Sequence, residues 1–425
     1  MPVELRGDEG LDRNGLEALQ RRRLSAGLSE VLVSNGFYRR KLEGLSWNAL
    51  RDRLDLLPLT TRGEIERDQV EHAPYGTNLT FDLGRYNRFH QTSGTIGRPV
   101  RWLDTPESWE WWKRCWSVVY RGAGLVAADR LVFPFSFGPF VGFWSAFEAA
   151  ASQGNLCLPG GGMTTAARLR YMLDNEATVV CCTPTYALRM AEVAVAEGLD
   201  LGRSPVRMLI VAGEPGGSIP TVRERLEAAW GAKVIDHAGM TEVGAWGFEC
   251  AEVPGGVHII ESEFLAEVID PVSTEAVGEG ESGELVLTNL GRWGSPLIRY
   301  RTGDHVRLSR GRCPCGRWFA RAEGGILGRG DDMLFIRGNN VFPTAIEAIL
   351  RGLPEVAEFR MEVDRSAPQA ELRLDVEPMT EASVTDLAER VAAAVADQLH
   401  FRPSVHVVPS GSLPRFEMKG RRVIQ

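Results

Sequence analysis

Val206-Arg207-Met208-Leu209-Ile210-Val211-Ala212-Gly213-Glu214-Pro215 is the stretch from which the fold can be read. Its apolar run has the length of a strand, and the Gly-Glu-Pro break ends it abruptly. A helical pattern follows over Ile219–Trp230, with Pro220 in the first turn, where its missing N–H costs nothing, and then a strand over Lys233–Asp236. Strand, helix and strand make one unit of a parallel sheet. The same alternation runs upstream: Leu131–Phe135, Asn155–Leu158 and Thr178–Cys182 read as strands, with helices over Phe143–Ser152 and Thr165–Asn175 between them.

Before these, a helix starting near Thr105 carries Trp109, Trp112, Trp116 and Tyr120 on one face, the spacing of a core-facing stripe. Residues 1–90 read as helical segments joined by polar turns, among them Arg22–Phe37 and Trp47–Leu57. After Gly255 the texture turns to strands, over Glu263–Ile269, Gly283–Thr288, Leu297–Arg299 and His305–Leu308. Beyond Gly328 comes a third pattern: a strand at Leu334–Ile336, a helix at Pro343–Leu350, alternating strands near 357–363 and 372–376, a helix at Ser383–Leu399 and a strand near Val405–Val408. The expectation is an α/β protein. Residues 1–328 form a large N-terminal domain of mainly parallel sheet covered by helices, with a β-rich part about 255–328. Residues 329–425 form a small mobile C-terminal α+β domain.

Composition narrows the function. The chain has 425 residues, 24% charged and 44% hydrophobic, an ordinary globular balance. A net charge of -8 argues against nucleic acid as a partner held by bulk charge. No apolar run approaches the ~20 residues that span a bilayer, so no membrane partner is expected. Met1–Gly15 lacks the apolar core of a secretory signal, and the seven cysteines include Cys181 and Cys182 in an apolar run. A reducing, cytoplasmic setting is therefore expected. Monomer and homodimer are both left open.

The chemistry starts at His90-Gln91-Thr92-Ser93-Gly94-Thr95-Ile96-Gly97-Arg98-Pro99. Interleaved glycines and hydroxyls let the backbone approach an oxyanion and donate hydrogen bonds to it, although the Lys-Ser/Thr ending of a Walker loop is missing. Taken alone, such a stretch serves equally as a plain turn. Further segments follow in order: Gly213-Glu214-Pro215, Asp236-His237-Ala238-Gly239-Met240-Thr241-Glu242, Tyr300-Arg301-Thr302-Gly303-Asp304, Gly328-Arg329-Gly330-Asp331-Asp332, and Lys419 near the end.

Together with Cys313-Pro314-Cys315-Gly316-Arg317 and the run Gly328 to Pro343, these segments resemble the adenylate-forming superfamily, in its phenylacetate-CoA ligase-like branch. The resemblance covers about His90 to Gln425. It implies ATP-dependent activation of a carboxylic acid to acyl-AMP, with Mg²⁺, and transfer of the acyl group to CoA. By the resemblance, Thr92, Ser93, Gly94 and Thr95 would hold the β- and γ-phosphates, Thr241 would touch the α-phosphate, and Glu242 would help hold Mg²⁺. Gly213, Glu214, Pro215, Asp236 and His237 would line the adenine site. Asp304 would accept from the ribose hydroxyls with Arg329 nearby. Lys419 would bridge the acyl carboxylate and the α-phosphate, and Asp331 would be the hinge. One departure stands out: such loops usually carry a lysine after Gly-x-Pro or nearby, and Val100 follows Pro99 here, leaving Arg98 or Arg101 to supply charge.

Phe133-Pro134-Phe135-Ser136-Phe137-Gly138-Pro139-Phe140 runs off a strand end and is dense in aromatics. In the resembled branch this region walls the acyl pocket, so Phe135, Phe137, Phe140 and Tyr186 are candidates to hold a benzoate-like or arylacetate acid. A separate carrier protein or an amine as acceptor, and a non-catalytic nucleotide-binding regulator, are the competing readings. Finally, Cys250, His258, Cys313 and Cys315 compose a Cys₃His set suited to structural Zn²⁺, or else a reduced thiol pair in a hairpin beside a surface histidine.

Overall fold

The computed structural model describes residues 5–45, 57–92, 98–336, 339–364, 370–379, 385–417 and 419–424. A hairpin of β1 (Arg88–Gln91) and β2 (Arg101–Asp104) precedes the main sheet. That sheet starts with β3 (Arg130–Phe133), β4 (Leu156–Pro159), β5 (Val179–Cys182), β6 (Met208–Ala212) and β7 (Lys233–Met240), which pair in parallel. The chain then reverses into β8 (Gly244–Cys250), β9 (Val253–Ile259), β10 (Phe264–Ile269), β11 (Ser282–Asn289), β12 (Tyr300–Ser309), β13 (Arg321–Glu323) and β14 (Gly328–Arg329), all pairing antiparallel.

The strand order is β10-β11-β12-β13-β9-β8-β7-β6-β5-β3-β4, with β14 beside β12. The parallel and antiparallel halves are thus one sheet, hinged at the β7–β8 turn. Antiparallel pairing begins at Gly244, earlier than the change of texture at Gly255, because a hairpin needs only a short turn whereas each parallel step needs a crossover. Gly244 has φ +134, and a Cβ there would lie 2.7 Å from the Trp111 ring, so only glycine fits this corner.

Two expectations are corrected. Leu297–Arg299 is not a strand; β12 starts at Tyr300. Arg299 sits at φ +46, and its N–H goes to the Thr288 side chain at 2.9 Å instead of to a ladder carbonyl. Arg22–Phe37 is two helices, Arg13–Ser34 and Gly36–Lys41, broken at Asn35, whose side chain accepts from the Tyr38 N–H to cap the second. Most of the expected helix Trp47–Leu57 and the start of that at Ser383–Leu399 lie outside the described residues; the latter is described over Leu387–Leu399.

The tryptophan helix spans Pro106–Ala123, capped by the Thr105 side chain and closed by left-handed Gly124. Trp109, Trp112, Trp116 and Tyr120 are buried on it, as is Trp111. It packs on β8.

The C-terminal part has its own apolar core. There β15 (Leu334–Ile336) and β16 (Asn339–Val341) form a hairpin, and β17 (Val356–Asp364), β18 (Glu371–Pro378), β19 (Ser404–Val407) and β20 (Val423–Ile424) form a sheet of order β19-β18-β17-β20. It meets the main body through polar contacts: Thr221 Oγ1 donates to the Ala348 carbonyl at 2.9 Å and Arg225 to that of Val356 at 3.0 Å. Among the described residues, no helix is long and apolar enough to cross a membrane.

Candidate active site

The β7–β8 turn presents Thr241 and Glu242, and a buried arginine holds it from behind. Arg292 is fully buried and grips Asp104 with two bonds of 2.6 and 2.7 Å. Its remaining donors reach the carbonyls of Thr241 and Glu242, each at 2.8 Å. The rings of Trp102 and Trp112 lie 5.5 and 5.2 Å from its guanidinium. With both main-chain carbonyls tied down, the Glu242 carboxylate is left facing the cleft, where the Tyr300 hydroxyl lies 3.5 Å away.

The same cleft is lined by Arg62, Ile65, Thr92, Val100 and Trp102. Thr92 closes the β1–β2 hairpin: its N–H donates to the Val100 carbonyl at 2.9 Å, and its hydroxyl accepts from the Val100 N–H at 3.0 Å. Val100 is buried and lines the cleft with an apolar side chain, so it brings no charge there. Ser93, Gly94 and Thr95 lie outside the described residues. Arg101 is turned away, with its guanidinium on the Pro74 carbonyl at 2.7 Å.

Across the cleft the C-terminal part brings in Lys419. This residue is solvent-exposed, yet its Cε lies 3.4 Å from where a Cβ on Gly213 would sit, directly over the end of β6. Glu214, Glu242, Asp304 and Arg329 are the charged groups that act on its ammonium. Glu214 is the clasp of this arrangement: one carboxylate oxygen accepts from the Thr185 N–H at 2.9 Å, and the other from the Gly420 N–H at 2.6 Å. Farther out, Glu417 accepts from Thr165 at 3.1 Å and lies 3.7 Å from Arg168, while Arg422 lies between Glu358 at 2.7 Å and Thr185 at 3.2 Å.

Asp304 on β12 faces Arg329 on β14 at 3.5 Å, the two being register partners. Burial pushes the Asp304 carboxyl up to about 6, with Arg329 opposing that shift and Glu242 adding to it. Asp331 follows in the short turn Gly330–Asp332, 3.9 Å from Arg329.

Asp236 accepts from the Ser218 hydroxyl at 2.6 Å, and its side chain packs under Gly217, so it supports the loop after β6. His237 is buried against Trp116, its ring centroid 4.1 Å away. Desolvation holds its pKa down to about 4, and the neutral ring donates from Nδ1 to the Gly247 carbonyl at 2.6 Å. Pro215 follows in the same loop, before left-handed Gly216. Phe135 stands edge-on to Phe137, Phe140 and Phe143 at 5.3, 5.4 and 5.6 Å, a cage at the end of β3. The Tyr186 hydroxyl accepts from Arg168 at 2.7 Å and lies 3.1 Å from Thr165; Arg168 also reaches Ser136, between Phe135 and Phe137, at 3.5 Å.

On the antiparallel half, the ligand atoms of Cys250, His258, Cys313 and Cys315 all lie within 4.8 Å of one another. The Cys250 and Cys313 sulfurs are 3.8 Å apart, as are the Cys315 sulfur and His258 Nε2. His258 is fully buried, not on the surface, and its Nδ1 bonds the Phe319 carbonyl at 3.0 Å. Sequence reasoning missed Arg62, Arg292 and the clasp role of Glu214. The first two lie outside every motif that carried the reading.

Several known proteins resemble this chain. Residues 338–425 match the AMP-binding enzyme C-terminal domain. The phenylacetate-coenzyme A ligase of Thermus thermophilus is 32% identical over 98% of both chains. A 2-hydroxyisobutyryl-CoA ligase in the postadenylation state, in complex with R3-HIB-AMP, superposes with a TM-score of 0.92 at 28% identity, covering 98% of this chain and 91% of that one. Its thioesterification state scores 0.74 over 98% and 91%. The chain thus superposes better on the postadenylation structure than on the thioesterification one.

The raised pKa of Asp304 has a measurable consequence. A folded-state value near 6 against an ordinary 3.8 means that stability present at pH below 4 is lost as the pH rises through 6. Thermal melts should therefore find Asp304→Asn more stable than the parent at pH 8 and not at pH 4. Equal melting shifts at both pH values would contradict that cause.

Proposed function

The chain belongs to the phenylacetate-CoA ligase family of adenylate-forming enzymes, and from that premise we propose which acid it takes and which residues act. It is an AMP-forming acid–CoA ligase, converting a carboxylic acid and ATP to acyl-AMP and then passing the acyl group to CoA. The observation that supports the residue assignment is that Glu242, Asp304 and Arg329 all lie close enough to act on the Lys419 ammonium, whose neighbour Gly420 donates to Glu214.

In the first half-reaction a carboxylate oxygen attacks the α-phosphorus, forming a new O–P bond as the bond to pyrophosphate breaks. Two anions must approach each other, so positive charge and alignment dominate. Lys419 would bridge the incoming carboxylate and the α-phosphate, with Thr241 donating to the latter. Glu242, exposed to the cleft and with its main chain pinned by Arg292, has the hard oxygen donors that Mg²⁺ takes; the ion would neutralise phosphate charge. Asp304 would accept from the ribose hydroxyls and Thr92 with its successors would hold the β- and γ-phosphates. Gly213 and Pro215 would border the adenine, with His237 beneath. Rotation of residues 329–425 about Asp331 would then remove Lys419 and admit CoA, whose sulfur attacks the acyl carbon while AMP departs.

The acid is an aryl acid, benzoate-like or arylacetate. The support is the edge-on cage of Phe135, Phe137 and Phe140 at the end of a parallel strand, flat walls suited to a ring. The Cys₃His cluster would hold structural Zn²⁺. Zinc–sulfur bonds of about 2.3 Å put tetrahedral ligands about 3.8 Å apart. The sulfur–sulfur spacing of 3.8 Å fits that edge, and the Nδ1 bond of His258 leaves Nε2 for the metal. Four protein ligands leave no open position for catalysis.

Aryl acids assayed with ATP and Mg²⁺, with and without CoA, should give pyrophosphate and aryl-CoA. Preference for long-chain fatty acids would overturn the aryl assignment, and acyl-AMP accumulating despite CoA would favour a carrier-protein or amine acceptor. Lys419→Ala should lower adenylation by at least about a hundredfold, the scale of removing one preorganised charge contact, with the melting temperature unchanged. Retained adenylation would reassign that role. Metal analysis of the purified chain should find about one zinc, and far less than one would leave a reduced thiol cluster.

A further inference from the structure

We infer that Arg62 grips the β- and γ-phosphates of ATP, supplying the positive charge that Val100 does not; the inference rests on the ATP-dependent reading above. Arg62 opens the helix Arg62–Glu71, whose start is fixed from two sides. Thr61 and Glu64 cap it reciprocally, and Thr60 is bolted to the main body, its N–H donating to the Arg299 carbonyl at 2.8 Å and its hydroxyl to that of Ile298 at 2.7 Å. The guanidinium is thereby delivered to the cleft that Thr92, Glu242 and Tyr300 line.

Its donors are unevenly used. Nε is engaged by Glu66 at 2.8 Å, one helical turn on, which orients the plane. The two terminal nitrogens make only long contacts: 3.2 Å to the Thr92 hydroxyl, 3.4 Å to the Arg98 carbonyl and 3.9 Å to Glu242. A charge-assisted bond to a phosphate oxygen is about 2.7–2.9 Å, so a polyanion entering this cleft would satisfy these nitrogens better than their present partners do. The cleft holds a carboxylate, Glu242, and hydroxyls. Arg62 stands as a cation on the Thr92 side of this cleft. Of the loop's own arginines, Arg101 is spent on Pro74 and Arg98 is exposed. A guanidinium also spans two oxygens at once, as a diphosphate offers.

The test separates the diphosphate from the rest of the nucleotide. Arg62→Gln and Arg62→Lys are compared with the parent for ATP KM, for inhibition by pyrophosphate, for AMP affinity by calorimetry, and for CoA transfer from supplied acyl-AMP. The expected result for Arg62→Gln is a rise of about tenfold or more in the ATP KM and the pyrophosphate inhibition constant, the worth of one charge-assisted bond. AMP affinity and CoA transfer should change by less than about twofold, and Arg62→Lys should recover part of the loss. An unchanged ATP KM, or ATP and AMP weakened in parallel, would overturn the inference and leave Arg62 as a helix-start residue. If the parent releases no pyrophosphate with any acid, the ligase reading fails instead. Calorimetry with ATP against AMP on Arg62→Gln still reports on Arg62 in that case.

Discussion

Arg292, buried with Asp104 between two indole rings, is the interaction on which the site depends. Taking a guanidinium and a carboxylate out of water costs several kcal/mol per ion. Here that cost is offset by a bidentate pair, two carbonyl acceptors and two ring faces. One side chain thereby ties together the hairpin strand bearing Asp104, the tryptophan helix, the segment leading into β12 and the turn bearing Thr241 and Glu242. An apolar side chain could fill the same volume, but it could not orient that turn.

That turn is also where the sheet changes character. Parallel strands present their carboxyl ends on one side, and ligands of open α/β sheets gather there. In this chain β6 and β7 end at Ala212 and Met240, and the sheet continues antiparallel from Gly244. Gly213 and Glu214 after the parallel β6 and Tyr300 and Asp304 of the antiparallel half therefore stand on one sheet, without any separate domain interface. The C-terminal part meets this space through scattered polar contacts, with the Phe342 ring against His305. Its core is distinct from those of the main body, and Glu214 shares its two oxygens between Thr185 and Gly420. An interface of that kind can open without exposing a large apolar surface.

Much of this was legible beforehand. Strand–helix alternation over 131–236 is a local pattern of burial, and the observed strands lie within a residue or two of the expected ones, save β7, which runs on to Met240. The motif residues that meet at the cleft stood out because turns with glycine, hydroxyl and acid side chains are rare in a fixed order. Leu297–Arg299 misled because an apolar, β-branched run looks the same whether it pairs or not; the left-handed Arg299 decided otherwise. Asp236, expected along the adenine site, also accepts from the Ser218 hydroxyl in the loop after β6, a contact with no signal in the sequence.

By itself the sequence determined the fold class, the order of its elements and the chemistry of the residues that would face a nucleotide, because periodicity, turn residues and side-chain type are properties of neighbours along the chain. It also narrowed the Cys₃His set to four positions. Only the tertiary structure brought Arg62 to the cleft beside Thr92 and Glu242, set Arg292 behind the Thr241–Glu242 turn, and joined Glu214 to Gly420. Each of these depends on which side chains meet across long separations, such as Arg292 with Asp104 and Gly420 with Glu214. Contacts of that kind leave no periodic trace, since they are set by how the sheet, the tryptophan helix and the C-terminal part pack against one another.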